Sequence, residues 1–149
     1  MTQDEKAFVL RDLCARLPYG VKVQIPDKYG GHTSVIKNID IDGYVVDDEG
    51  NLTEIEWARP YLFPLSSMTE EQKEEYYSLA DDVTIKPGQG SYFGIKIHCI
   101  KLGISDNPHE GVWDDVDLDA IDWLNENHFD YRGLIPMGMA INATGLNIY

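Results

Sequence analysis

The spacing of apolar residues changes at Gly20, and this change constrains the fold more than any other feature of the chain. Before Gly20, the apolar residues that share one helical face are Leu10, Leu13, Cys14 and Leu17. Thr2 is a suitable N-cap, and Pro18 disfavours helix beyond about residue 16. After Gly20, residues 21–25 alternate between apolar and polar, which is typical of a half-buried strand. The sequence therefore predicts an N-terminal helix followed directly by a sheet.

Turn signals divide the residues that follow into short strands. Residues 26–31 are rich in turn formers, Asp42-Gly43 is a two-residue hairpin signal, and residues 47–51 form a second polar turn. The segments predicted as strands are residues 33–41, 44–46 and from 52 onward. Consecutive strands joined by tight turns favour an antiparallel meander that buries one face and curls into a small barrel or half-barrel.

Two further helices have clear start signals. Thr69 and Gln72 form a capping box for a helix from about residue 70 to 79. Asp117 is a suitable cap for a third helix over about residues 118–127. The fold class predicted from these patterns is α+β, a small antiparallel sheet or half-barrel with about three helices packed on it.

The remaining segments are less strongly patterned. The two prolines of residues 59–65 predict an extended crossing segment rather than a central strand. Further elements are expected as strands over 83–86, 92–102 and 141–149, and as a short helical turn within 132–140.

Length and composition indicate one domain. The chain has 149 residues and 43% hydrophobic content, which suffices for one core, so we expect a single domain over residues 1–149. Cys14 and Cys99 are far apart, and residues 1–8 do not resemble a signal peptide. No apolar run is long enough to span a bilayer. We therefore expect a cytoplasmic location and no membrane contact.

Acidic residues are concentrated in two stretches. Residues 102–131 contain nine acidic side chains and no lysine or arginine, and residues 40–56 contain seven acidic side chains and no base. The formal net charge is −14. A surface of this kind repels phosphate and attracts basic partners, so direct nucleic-acid binding is not expected.

Motifs for metal or catalytic chemistry are incomplete. Asp115, Asp117, Asp119 and Glu126 match part of a calcium loop, but Ala120 occupies the position that needs glycine. The cysteines and histidines lack the paired spacing of a zinc site, and no nucleophile elbow or phosphate-binding loop is present. The sequence therefore predicts no metal, no cofactor and no catalytic residues.

Residues 128–133, His-Phe-Asp-Tyr-Arg-Gly, combine a titratable ring, two aromatic rings and a candidate ion pair. A binding site is one interpretation. The favoured interpretation is a helix C-terminus, with His128 near the negative end of the dipole, Phe129 in the core and Arg132 bound to carbonyls or a neighbouring acid.

Three stretches resemble a known group of proteins: residues 17–21 (LPYGV), 59–69 (RPYLFPLSSMT), and 122–125 with 128–135 (DWLN and HFDYRGLI). They are similar to uncharacterised small acidic proteins of Bacteroides-type gut bacteria and their phages. The resemblance extends from about Leu17 to the end of the sequence. It implies a mobile-element origin and a bacterial host, and no activity or functional residue is implied.

The leading hypothesis is a non-enzymatic acidic protein that binds a basic, nucleic-acid-handling protein of the host or its defences and inhibits it by charge mimicry. The residues predicted to bind are Asp106, Glu110, Trp113, Asp114, Asp115, Asp117 and Asp119, with Trp113 as an aromatic anchor. Two alternatives stay open. One is a small enzyme or ligand-binding barrel with a pocket near His98, His109 and His128, and the other is a structural homo-oligomer.

Overall fold

A computed structural model describes residues 1–79 and 118–149, which fall into two compact units. The first unit comprises Met1–Leu62 and Leu134–Tyr149, and the second comprises Phe63–Gly133. The described helices are α1 (Gln3–Arg16), α2 (Glu70–Leu79) and α3 (Leu118–Glu126). The described strands are β1 (Lys22–Ile25), β2 (His32–Ile39), β3 (Tyr44–Asp47), β4 (Leu52–Glu54), β5 (Arg59–Pro64), β6 (Phe129–Asp130) and β7 (Ile141–Asn142). The strands predicted over 83–86 and 92–102 lie outside the described residues.

The start of α1 confirms the predicted cap. The backbone N–H of Glu5 donates to Thr2 Oγ1 (3.2 Å), and the backbone N–H of Thr2 donates to Glu5 Oε2 (2.6 Å). This reciprocal capping box satisfies two N–H groups that the helix itself leaves without acceptors. The hydrogen bond from the Thr2 backbone is the main reason that the pKa of Glu5 lies below its ordinary value.

The buried face of α1 differs from the predicted one. Cys14 was placed on the apolar face, and it is exposed. The residues buried on α1 are Val9, Asp12, Leu13 and Arg16. Asp12 and Arg16 form an ion pair, so their charges neutralise each other and both residues can be buried on this face of α1. Cys14 lies on the exposed side of the helix.

Five strands follow one another in the order β4-β3-β2-β1-β5, and all four of these pairings are antiparallel. In addition, β7 pairs with β5 in parallel. Alternate residues of β1, Val23 and Ile25, are buried, as the alternating pattern predicted. The predicted meander is therefore confirmed for β1–β4.

The hairpin between β2 and β3 has a three-residue loop rather than the predicted two-residue loop. Asp40 and Tyr44 close the loop through the Asp40 N–H and the Tyr44 carbonyl (2.9 Å). Gly43 adopts φ +81°, which places a left-handed glycine after a turn, the usual form of a three-residue hairpin loop. The loop residues are consequently Ile41, Asp42 and Gly43.

The proline-rich segment is an inner strand, so the prediction of an extended crossing segment rather than a central strand was wrong. Residues of β5 pair with β1 on one side and with β7 on the other. The two prolines, Pro60 and Pro64, lie near the two ends of the strand. The residues between them supply the backbone hydrogen bonds, such as Ala143 N–H donating to the carbonyl of Leu62 (2.8 Å). The missing proline N–H groups therefore interrupt little of the ladder.

The core of the first unit lies between α1 and the sheet. Its buried members are Val9, Leu13, Val21, Val23, Ile25, Ile36, Val45, Ile55, Ala58, Leu62, Leu134, Met139 and Ala140.

The strand predicted over 141–149 is only the two-residue β7, and residues 132–140 form turns rather than helix. Tyr149 then packs back: its hydroxyl donates to the carbonyl of Tyr61 (2.8 Å) and accepts from the N–H of Lys22 (3.0 Å). Burial raises the pKa of Tyr149 to about 12.

The second unit has its own core. The predicted capping box of α2 is present, since Gln72 N–H donates to Thr69 Oγ1 and Thr69 N–H donates to Gln72 Oε1. The buried core residues are Leu65, Met68, Tyr76, Ala120, Trp123, Leu124, Phe129 and Tyr131. The rings of Trp123 and Phe129 stack with their centroids 5.6 Å apart. Phe63 of β5 pairs with Phe129 of β6 in parallel.

These elements confirm the α+β class. The described strands form an open sheet that is mixed, because β6 and β7 both run parallel to β5. Within residues 1–79 and 118–149, no helix has the length and apolar character needed to cross a membrane.

Candidate functional site

Most of the residues predicted to bind a partner lie outside the described residues. These are Asp106, Glu110, Trp113, Asp114, Asp115 and Asp117. Asp119 is described: it lies in the first turn of α3 and is exposed to solvent. A carboxylate at that position interacts favourably with the helix dipole, which is a sufficient structural reason for its presence. The acidic stretch that is described in full is residues 40–56, and it forms the candidate site.

Two carboxylates of this stretch hold turns together. Asp40 Oδ1 accepts hydrogen bonds from the N–H groups of Asp42 (3.0 Å) and Tyr44 (2.8 Å). Asp47 is 3% exposed, and its Oδ1 accepts from the N–H groups of Glu49 (2.9 Å) and Asn51 (2.8 Å). These acids fix the hairpin loops that carry the more exposed acids.

The pKa of Asp47 reflects two opposing effects. Burial alone would raise it, but hydrogen bonds from the side chain and backbone of Asn51, from His32 and from the backbone of Glu49 outweigh burial. The pKa of Asp47 consequently lies below its ordinary value, and the carboxylate remains charged at neutral pH. Asp47 is thus a structural anion, 3.4 Å from His32 Nε2.

A groove in the first unit collects the other acids of the stretch. It has a volume of about 480 Å³ and lies between the N-terminal half of α1, the β2–β3 loop and the turn after β4. We call it the acidic groove. Its lining residues are Gln3, Lys6, Ala7, Leu10, Asp40, Ile41, Asp42, Gly43, Tyr44, Glu54, Ile55 and Glu56. Four carboxylates and one ammonium group line it, which gives a formal charge of −3.

Lys6 and Glu56 form an ion pair across the acidic groove. Lys6 Nζ lies 2.8 Å from Glu56 Oε2, and both side chains retain about a quarter to a third of their exposure (31% and 26%). This hydrogen bond raises the pKa of Lys6 and lowers the pKa of Glu56. The pair ties α1 to the turn that follows β4, and it leaves the two flanking acids, Asp42 and Glu54, exposed to solvent.

Apolar groups alternate with the charges of the acidic groove. Ile41 is fully exposed at the tip of the hairpin loop, although an isoleucine normally favours burial. Leu10 and Tyr44 are half-buried and contribute further apolar surface. A lysine or arginine side chain matches this arrangement, because its aliphatic stem packs on apolar groups while its charged end meets the carboxylates.

The histidine pocket proposed as an alternative is described only at His128, since His98 and His109 lie outside the described residues. His128 is buried in the second unit, two residues after the end of α3, with φ +59°. Phe129 is 2% exposed and lies in the core, as the structural interpretation predicted. Arg132 Nη2 donates to the hydroxyl of Tyr131 (3.2 Å). The burial of His128 and Phe129 agrees with a helix C-terminus that is packed into a core.

Metal ligands do not converge in the described part of the chain. Within residues 1–79 and 118–149, no group of three or more His, Cys, Asp or Glu side chains is arranged to hold a metal ion. Asp115 and Asp117 of the partial calcium motif lie outside these residues.

Comparison of the chain with protein-family models, with curated proteins and with solved structures finds no match.

Sequence reasoning found the acids of the groove but missed its other components. The sequence carries no local signal that places Lys6 in a groove, and the position of α1 over the hairpin loop is a tertiary contact that no local pattern encodes. Ile41 did carry a signal, because an isoleucine between Asp40 and Asp42 at a hairpin tip is an exposed apolar residue within an acidic run.

Proposed function

We propose that this protein is a non-enzymatic acidic binding protein that engages a basic surface of another protein. The acidic groove is the observation that carries the proposal. It presents four carboxylates against one ammonium group and offers apolar surface at Ile41 and Leu10. Complementary charge accelerates association and excludes partners with negative surfaces, whereas the apolar contacts supply affinity.

The net charge of −14 supports the same class of partner. A protein with this charge repels nucleic acid and competes with it for cationic clefts, so the partner we propose is a nucleic-acid-handling protein. Occupation of such a cleft would inhibit the partner by charge mimicry. The resemblance to proteins of gut bacteria and their phages makes a host or defence protein in the bacterial cytoplasm the natural target.

The acidic run that contains Asp106, Glu110, Trp113, Asp114, Asp115, Asp117 and Asp119 belongs to the proposal through its charge alone. The contributions of this run and of the acidic groove to binding are separable by mutation.

The test uses a decalysine peptide as a defined basic probe. We expect it to bind the wild-type chain at about 20 mM salt and to bind at least tenfold more weakly at about 200 mM salt, because screening grows with ionic strength. Asp42→Lys with Glu54→Lys reverses the two exposed acids of the groove. This variant should lose about tenfold in affinity at low salt, the order of magnitude expected for rim charges.

The matched control reverses two acids outside the groove. Glu49→Lys with Glu74→Lys changes the net charge by the same amount, and both residues are exposed. We expect this control to lose clearly less affinity than the groove variant. Equal losses would show that only total charge matters, and binding that ignores salt would contradict the proposal outright.

A further inference from the structure

Lys28 is held between two aromatic rings on the surface of the first unit. Its Nζ lies 3.6 Å from the centroid of the Trp57 ring and 4.8 Å from the centroid of the Tyr29 ring. Lys28 and Tyr29 belong to the short 3₁₀ turn Asp27–Tyr29, and Trp57 ends the 3₁₀ turn Ile55–Trp57. Both distances are well within the range in which the negative face of an aromatic ring attracts a cation.

These rings can accept a cation from outside. Trp57 is 41% exposed, and Tyr29 is half-buried. Trp57 also lines a second groove of about 320 Å³, whose charged side chains are Glu5, Glu56 and Arg59. Glu56 lines the acidic groove as well, so the two grooves share a wall. An ammonium group that approaches Trp57 would therefore meet a π face and, at Glu56, the edge of the acidic groove with its formal charge of −3.

Lys28 is bound weakly enough to be displaced. Among the described residues it forms no ion pair within 4.0 Å, and its ammonium group is held by the two rings. An exposed cation–π contact is a modest interaction, and Lys28 can return its charge to water at little cost. A polycationic partner has the additional advantage that its other ammonium groups can meet the carboxylates of the acidic groove.

We propose that Trp57 and Tyr29 form a cation-binding clamp that Lys28 occupies in the free protein, and that a lysine side chain of a basic partner displaces Lys28 from it. This inference rests on the proposed function for the identity of the partner. It goes further by naming the aromatic pair as the anchor point and Lys28 as an internal competitor that weakens binding.

The first experiment tests the clamp without any protein partner. Tetramethylammonium is titrated into the protein while the indole N–H resonance of Trp57, assigned with Trp57→Phe, is followed by NMR. We expect Lys28→Gln to lower the midpoint of this titration about twofold to fivefold relative to wild type, because the internal competitor is gone. Lys37→Gln is the matched control: Lys37 is exposed on β2 and forms no cation–π contact among the described residues, so its midpoint should stay at the wild-type value.

The second experiment repeats the comparison with decalysine. We expect Lys28→Gln to bind more tightly than Lys37→Gln by about twofold to fivefold, and Trp57→Leu introduced into Lys28→Gln to abolish this gain. Equal tetramethylammonium midpoints for Lys28→Gln and Lys37→Gln would overturn the clamp even if decalysine binding remains salt-dependent. A shifted midpoint without decalysine binding to any variant would support the clamp and refute the proposed function.

Discussion

Removal of Asp12 should destabilise the first unit strongly, because it leaves the Arg16 guanidinium buried without its bidentate acceptor. Arg16 Nε lies 2.8 Å from Asp12 Oδ2 and Nη2 lies 3.0 Å from Oδ1, and both side chains are 0% exposed. Loss of one partner of a buried pair costs about 3–5 kcal/mol, because the remaining charge has been removed from water without compensation. We therefore expect Asp12→Ala to lower the free energy of unfolding by about 3–5 kcal/mol.

The measurement is urea-induced unfolding followed by circular dichroism. The informative control is the double variant Asp12→Leu with Arg16→Met, which replaces the pair by apolar groups of similar size. Such replacements are often neutral, so we expect the double variant to lie within about 1 kcal/mol of wild type. A loss below about 1 kcal/mol for Asp12→Ala would refute this reasoning. A double variant as unstable as the single variant would show that the geometry of the pair, rather than its charge balance, stabilises α1.

Three further predictions concern the first unit. Tyr149→Phe should lower the free energy of unfolding by about 1–2 kcal/mol, because it removes two hydrogen bonds. Since burial raises the pKa of Tyr149 to about 12, the stability that the wild-type hydroxyl contributes is complete below pH 10 and is lost between pH 10 and 12. Urea unfolding of Tyr149→Phe should lack this loss of stability at alkaline pH. Asp47→Ala should lower the free energy of unfolding by about 2–3 kcal/mol. Because the pKa of Asp47 is lowered in the folded protein, its carboxylate contributes stability above pH 3.8, the ordinary pKa, and this stability is lost as the pH falls below that value. The variant should therefore lose part of the acid sensitivity of unfolding. Gly31→Ala should lower the melting temperature more than Gly50→Ala, because a Cβ on Gly31 would clash with Asp27 Oδ1 and lie only 3.3 Å from the Asp27 Cα, whereas a Cβ on Gly50 meets nothing within 4 Å.

Local patterns predicted the elements that local chemistry determines. The capping boxes at Thr2 and Thr69 fix the starts of α1 and α2 through contacts three residues apart; the sequence predicted the N-cap at Thr2 and the full capping box at Thr69. The position of β5 could not be predicted in this way. Its place between β1 and β7 depends on contacts between residues that are distant in sequence. The two prolines disfavour a central strand, and the sequence does not reveal that they lie near the strand ends, where they are tolerated.

The candidate site shows the same division. The acids of residues 40–56 were evident from the sequence, but their roles were not: Asp47 is buried at the end of β3, whereas Asp42 and Glu54 face solvent. The clamp could not be found from the sequence, because Lys28 and Trp57 are far apart along the chain and meet only through the fold. Backbone pairing decides these placements, and single-sequence patterns do not encode it.

The most direct test of the central claim is a map of where a cationic probe binds. Decalysine is titrated into isotopically labelled protein at low salt, and amide chemical shifts are recorded for the whole chain. We expect the largest changes at groove residues, including Lys6, Ile41, Asp42 and Glu54, with smaller changes at Glu49 and Glu74. Shifts that spread evenly over all exposed acids, or that leave the groove residues unchanged, would contradict the assignment of the acidic groove as the binding site.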